Sequence, residues 1–445
     1  MAETSATTGT GEPASRPRKS SWKYIGPGIV VAATGVGAGD LVATLIAGSK
    51  FGYTLMWAAV IGCVVKISLA EAAGRWHLAT GRTLFDGWRS LGPWTTVYFA
   101  VYVVLWGFIY GATAMSSSAL PIVALFPDGP GLKFWAIVTG LIGLAFVWFN
   151  RYAVFEKVMT VLIGIMFVVV VYVAARVVPD VGASFAGLLP VLPDGSLLYT
   201  LGLIGGVGGT ITMAAYGYWV NAKGWSNSSW MKVMRLDNRV AYITTGVFVV
   251  AMLIVGAELL HASQVALTSG DRGLIDLGKV LEDRFGAGTA KLFLVGFFAT
   301  SFSSLIGVWH GVSLMFADFV ERFRASAVGA AETEGHVGHE GHEGHEGPGV
   351  AERRQRSLPF RAYLLWLTFP PMTLLWLDEP FGLVIAYGVL GAFFMPFLAL
   401  TLLWLLNSSR TPGEWRNGWL SNGMLALSGL LFVVLCVQQV RELPW

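Results

Sequence analysis

The sequence predicts an all-α protein that crosses a membrane many times, and three observations carry that expectation. Of its 445 residues, 55% are hydrophobic and 13% charged, against roughly 25% charged in an ordinary soluble domain. The charges are not dispersed; they fall between apolar runs of membrane-spanning length, about 20 residues each. Glycine (55) and tryptophan (18) are both abundant, as expected where small residues let helices approach closely and indoles sit at the membrane interface. Cys63 and Cys436 lie inside apolar runs; two such cysteines exclude a disulfide framework or a Cys-based zinc site and read as packing. A net charge of +3 with no basic stripe argues against a nucleic-acid partner.

Taken in order, residues 1–24 are rich in Ser, Thr, Gly and Pro with no apolar run, which predicts a disordered cytosolic tail and no secretory signal. Apolar stretches of spanning length follow at 25–47, 54–73, 96–124, 133–149, 154–177, 197–221, 240–260, 290–318, 361–377, 381–406 and 418–438, giving eleven spans within a transporter-like domain of 25–438. Threaded from a cytosolic N-terminus, 21 of the 30 Lys and Arg fall inside and 8 outside, with Lys66 within the membrane. The positive-inside rule therefore favours N-terminus in, C-terminus out. Between spans eight and nine, the cytosolic loop 319–360 carries His336, His339, His342 and His345 in a His-Glu-Gly repeat. It reads as a polar linker, or as a weak chelator of Zn, Ni or Co.

Two spans break helical rules. Span one contains Thr34-Gly35-Val36-Gly37-Ala38-Gly39-Asp40, and span six contains Gly205-Gly206-Val207-Gly208-Gly209-Thr210. Each glycine costs about 1 kcal/mol relative to alanine inside a helix, so clusters favour local unwinding where a cavity satisfies the freed backbone. Close packing of small residues explains either run alone. Their positions as first helices of two five-helix halves instead mark the substrate site of an inverted-repeat transporter.

On these residues, and on Gly26-Pro27-Gly28, Ala47-Gly48-Ser49-Lys50-Phe51-Gly52, Ala79-Thr80-Gly81-Arg82, Phe155-Glu156-Lys157, Gly187-Leu188-Leu189-Pro190 and Ser303-Ser304, the chain resembles the NRAMP family of divalent-metal transporters from about residue 24 onward. The resemblance implies a LeuT-like inverted repeat of five plus five helices with an eleventh helix, spans one and six broken. It implies a metal that is cargo, with no cofactor, and a chain that is not an enzyme. Where the family has Asp-Pro-Gly-Asn in span one, this sequence has Gly37, Ala38, Gly39 and Asp40; where it has Met-Pro-His in span six, Met213-Ala214-Ala215 stands. Asp40 then supplies the carboxylate and Met213 the thioether, with carbonyls at Gly37 and Thr210 and Tyr216 close by. The thioether leans toward Mn and Fe; the thinned ligand set leaves room for hydrated Mg. The family's acid in span three corresponds to Gly107, its span-six histidine to Ala215 and a span-ten amide to about Gly388. These losses imply a uniporter, or a carrier that couples to protons through other groups.

Ionisable residues at membrane depth are costly and are by default functional candidates. Here they are Asp40, Lys66, Glu71, Glu258, His261 and His310. Lys66 is expected to pair with Asp40 or Glu71, with structural ion pairing the favoured role for Lys66 and Glu71. His310 reads as a satisfied interhelical hydrogen bond or a proton relay. The leading function is a divalent-metal carrier, read as a monomer in a bacterial plasma membrane, with the bilayer and protons as further partners. The alternatives are a carrier of a small organic or zwitterionic solute, walled by Trp106, Tyr110, Tyr216 and Trp219, and a non-transporting metal sensor using the His-rich loop.

Overall fold

The computed structural model describes residues 26–177, 179–206, 209–261, 272–332, 350–377 and 380–442, and within them all regular structure is helical. Span one is two helices, α1 (Pro27–Gly35) and α2 (Ala38–Phe51). Pro27 occupies the first turn of α1, where a missing N–H is no loss, and Val36 leaves the helix with extended backbone. Span two is α3 (Met56–Thr80), stopped by Gly81 in the left-handed region. The short α4 (Leu84–Leu91) starts at a capping box in which Thr83 and Asp86 satisfy each other's backbone N–H; it buries Leu84, Phe85 and Trp88. Spans three to five are α5 (Pro93–Leu125), α6 (Leu132–Phe149) and α7 (Tyr152–Arg176). After a surface turn of helix, α8 (Val181–Ala186), span six is again divided, into α9 (Leu197–Gly206) and α10 (Thr212–Ala222). Span seven is α11 (Met231–Gly256), which widens into one π-helical turn, Ala257–His261. Then come α12 (Arg272–Phe285), α13 (Ala287–Glu332), α14 (Val350–Gln355), α15 (Leu358–Thr368), α16 (Pro380–Asn407) and α17 (Trp419–Glu442).

The eleven expected spans are therefore α1/α2, α3, α5, α6, α7, α9/α10, α11, α13, α15, α16 and α17. Seven helical stretches among the described residues are long and apolar enough to cross a membrane on their own. Span seven starts at Met231, ahead of the expected 240, and two further differences have physical causes. Span nine starts earlier, at the Ser357 cap, and its α-helix ends at Thr368, because Pro370-Pro371 cannot continue it; a 3₁₀ segment, Pro370–Leu377, completes the stretch. The segment 319–360, expected as a loop, is helical through Glu332 and again from Val350. His336, His339, His342 and His345, like the tail 1–24, lie outside the described residues.

α1 lies at the centre, packed on α7, α10, α11 and α13, with every residue buried except Ile29. A helix hydrophobic all round belongs in the interior. α2 crosses α11 through two glycines: a Cβ on Gly48 would lie 2.4 Å from the Leu253 carbonyl oxygen, and one on Gly256 2.6 Å from that of Leu45. Large apolar side chains such as Val97, Val101 and Leu105 on α5, Ile142 on α6 and Leu430 on α17 are exposed. They form the lipid-facing surface of an integral membrane protein.

Candidate transport site at the two helix breaks

The breaks in spans one and six face each other. Gly209 has φ 88°, a left-handed conformation that glycine adopts without steric penalty. A Cβ there would lie 2.5 Å from Thr212 Oγ1 and 2.9 Å from Gly35 Cα, so only a glycine allows the two breaks to touch. On the other side, a Cβ on Gly37 would lie 3.1 Å from Ser304 Oγ of α13. Unwinding frees carbonyls, and α13 meets two of them: Ser303 Oγ donates to the Ala33 oxygen at 3.2 Å and Ser304 Oγ to that of Thr34 at 2.9 Å. Tyr110 of α5 supports Ser304 by donating to its carbonyl at 3.0 Å. Lys66, fully buried in α3, donates its Nζ to the Gly209 carbonyl and lies 5.4 Å from the Phe432 ring centroid.

Three threonine hydroxyls at this junction, Thr34, Thr210 and Thr212, are buried without a hydrogen-bond partner among the described residues. They face different neighbours, Thr34 Oγ1 lying toward Gly307 of α13, Thr212 Oγ1 toward Gly209 and Thr210 Oγ1 toward Gly391 of α16. No group of three or more His, Cys, Asp or Glu converges among the described residues.

The expected site residues divide. Gly37 and Thr210 sit at the breaks, Thr210 Cγ2 lying 2.9 Å from where a Cβ on Gly391 of α16 would stand. Asp40 lies in the first turn of α2 and Met213, fully buried, in the first turn of α10. Tyr216 is occupied elsewhere. Its hydroxyl donates to Asp237 Oδ2 at 3.0 Å, and the same carboxylate accepts from Gly26 N at 2.9 Å and Gly28 N at 2.6 Å. Asp237 of α11 thus clamps the start of α1, using the free N–H groups of a helix N-terminus. Sequence reading missed it; the available signal was an acid just ahead of apolar span seven, facing a Gly-Pro-Gly start.

The expected Lys66–Glu71 pairing is not the arrangement found. Five residues apart, the two side chains point to different sides of α3: Glu71 pairs with Arg75 at 3.1 Å and with Arg235 of α11 at 2.9 Å. Arg75 also reaches Trp415 O, Asn417 Oδ1 and Ser421 Oγ, fastening α3 to the start of α17. His310 Nδ1 accepts from Trp219 Nε1 at 3.1 Å, its ring stacked on Phe155 at 4.2 Å, a packed interhelical hydrogen bond. Trp106 and Tyr110, expected as cavity walls, stack on each other at 4.7 Å.

Polar ties join neighbouring helices at both ends of the bundle. At the end nearest Gly26, buried Asp318 of α13 accepts from Tyr218 of α10 at 2.7 Å, Arg322 at 2.6 Å and Arg354 of α14 at 2.9 Å. Arg322 also pairs with Asp86 of α4, and Lys223 pairs with Glu156 at 2.5 Å. Beside this network a small cavity is lined by Ala73, His77, Thr83, Leu84, Ala214, Gly217 and Tyr218. At the far end, Tyr53 donates to Glu258 Oε1 at 2.7 Å and His261 Nδ1 meets the Ser49 carbonyl at 2.8 Å. Burial, and then the Glu258 hydrogen bond, push the Tyr53 hydroxyl from 10.0 up to about 12, so it remains a donor at neutral pH.

Comparison with known proteins decides the family. The model of the Nramp family, natural resistance-associated macrophage protein-like, matches residues 28–441. The chain belongs to the Nramp family. It is 25% identical over 454 residues to the divalent metal cation transporter MntH of Mycobacterium leprae, covering 94% of this chain and 93% of that protein. A MntH of Chromohalobacter salexigens is 28% identical over 56% of this chain and 60% of its own length. Among solved structures, a mutant of the Eremococcus coleocola manganese transporter superposes with TM-score 0.75 at 16% identity, covering 99% of this chain and 92% of that one. A nucleobase-cation-symport-1 family transporter superposes with TM-score 0.58 at 15% identity, over 94% and 92%. This Nramp-family chain thus has the LeuT-like transporter fold expected of it, with the breaks of α1/α2 and α9/α10 at its centre, and it is a membrane transporter, not an enzyme.

Proposed function

We propose that this chain is a secondary carrier that moves a divalent metal ion, of the Mn and Fe type or Mg, across the membrane by alternating access. The observation that carries the reading is the pair of facing breaks, where Gly209 of span six meets Gly35 of span one inside an apolar interior. Asp40 supplies the negative charge, Met213 the preference for softer ions, and the backbone at Gly37 and Thr210 the remaining oxygens. The curated relatives are divalent metal cation transporters by name, which supports the cargo class. The moving bundle is α1, α2, α3, α9, α10 and α11, rocking against α5, α6, α13 and α15. The arginines at the Gly26 end support a cytosolic N-terminus and an outer C-terminus in a bacterial plasma membrane, for a carrier acting as a monomer.

The test is uptake into proteoliposomes of Mn, Fe, Mg and Ca, with lumenal pH recorded in the same vesicles. Asp40→Ala is expected to abolish uptake while leaving the size-exclusion profile intact. Mn and Fe uptake equal to wild type in that variant would reject the assignment.

A further inference from the structure

Lys66 places a lysine Nζ of the protein at the junction where the cargo cation is proposed to sit. It is fully buried at the middle of α3, where an ammonium is expensive and rarely without a task. Its Nζ donates to the Gly209 carbonyl, the oxygen of the residue whose left-handed backbone brings span six against Gly35 of span one. The Phe432 ring, 5.4 Å away, adds the electron-rich face that ammonium groups favour. A backbone carbonyl and an aromatic face are groups that hold a loose cation as readily as a tethered one.

We infer that Lys66 is a tethered counter-cation that stands in for the metal while the carrier is empty. A carrier built around an acid must offset that charge for the unloaded return through the low-dielectric interior, by taking up a proton or by a counter-cation of its own. With a charged Lys66 on the Gly209 carbonyl the acid of the unloaded junction is offset, and the bundle returns without cargo. The entering metal displaces the ammonium, so the same contact weakens metal binding. Lys66 is thus a positioning residue that makes the carrier capable of net, one-way flux.

The inference rests on the metal-carrier reading, and the experiment separates the two. Full-length protein in proteoliposomes is assayed with radiolabelled Mn in two modes: net uptake into metal-free vesicles, and exchange against Mn loaded inside. The wild type is expected to support both modes at comparable rates. In Lys66→Met, which keeps the stem and removes the charge, the ratio of net uptake to exchange is expected to fall at least about tenfold. Lys66→Arg, which keeps the charge, is expected to retain the wild-type ratio. A merely structural lysine lowers both modes together and leaves the ratio alone, and that result overturns the inference. Wild-type protein that exchanges Mn without net uptake overturns it with no variant needed, which keeps it testable if Lys66→Met fails to fold. Wild-type protein showing neither mode with Mn, Fe or Mg overturns the carrier reading and the inference with it.

Discussion

Gly209 answers two demands, a left-handed backbone and contact with Gly35. Alanine there is expected to lower stability by about 1–2 kcal/mol from the backbone alone, and more from overlap with Thr212, read as a fall in the detergent-solubilised unfolding temperature. Met213→Ala tests the soft ligand: Mn affinity is expected to drop about tenfold while Mg affinity changes little, measured by competition. Asp237→Asn leaves the two N–H groups of Gly26 and Gly28 facing a neutral amide. It is expected to cost about 1.5–3 kcal/mol, the difference charged hydrogen bonds make. The glycines were legible in the sequence because conformational freedom is a property of the residue itself. Asp237 and the true partner of Tyr216 were not, because a hydrogen bond between spans one, six and seven leaves no local trace.

At the level of helices, the division of spans one and six follows from glycine clustering, and the early end of span nine from Pro370-Pro371. The extension of α13 to Glu332 was hidden by its polar composition, which hydropathy reads as loop. That extension begins at the Asp318 network, where α4, α10, α13 and α14 are held together. Removing one charge from a buried pair costs about 3–5 kcal/mol, so Asp318→Asn is expected to open this end. The check uses Gly217→Cys, whose added Cβ meets His77 at an ordinary 3.4 Å, in a background lacking Cys63 and Cys436. Labelling of Cys at 217 by a membrane-impermeant thiol reagent is expected to rise when Asp318→Asn is added. Unchanged labelling would assign the network to stability alone.

For the whole molecule, eleven spans and the paired breaks were readable from hydrophobic length and glycine spacing, which are one-dimensional signals. Structural ion pairing of Glu71 was also readable, but its partners Arg75 and Arg235 and the contact of Lys66 with the span-six break were not, since α3 sends the two side chains to opposite neighbours. The positions Gly107, Ala215 and Gly388 carry no titratable side chain. Mn uptake is accordingly expected to leave lumenal pH flat, recorded by an entrapped dye; acidification in step with Mn entry would assign coupling to another group.

The crossing of α2 and α11 at Gly48 and Gly256 has an evolutionary consequence. Each glycine faces the other helix's main chain, not a side chain, so a methyl added on one helix cannot be accommodated by trimming a residue on its partner. Gly256→Ala should therefore resist rescue by second-site changes on α2 in a suppressor screen. The two positions are locked to a single residue type independently of each other, and their invariance among functional descendants would record backbone geometry with no covariation to betray the contact.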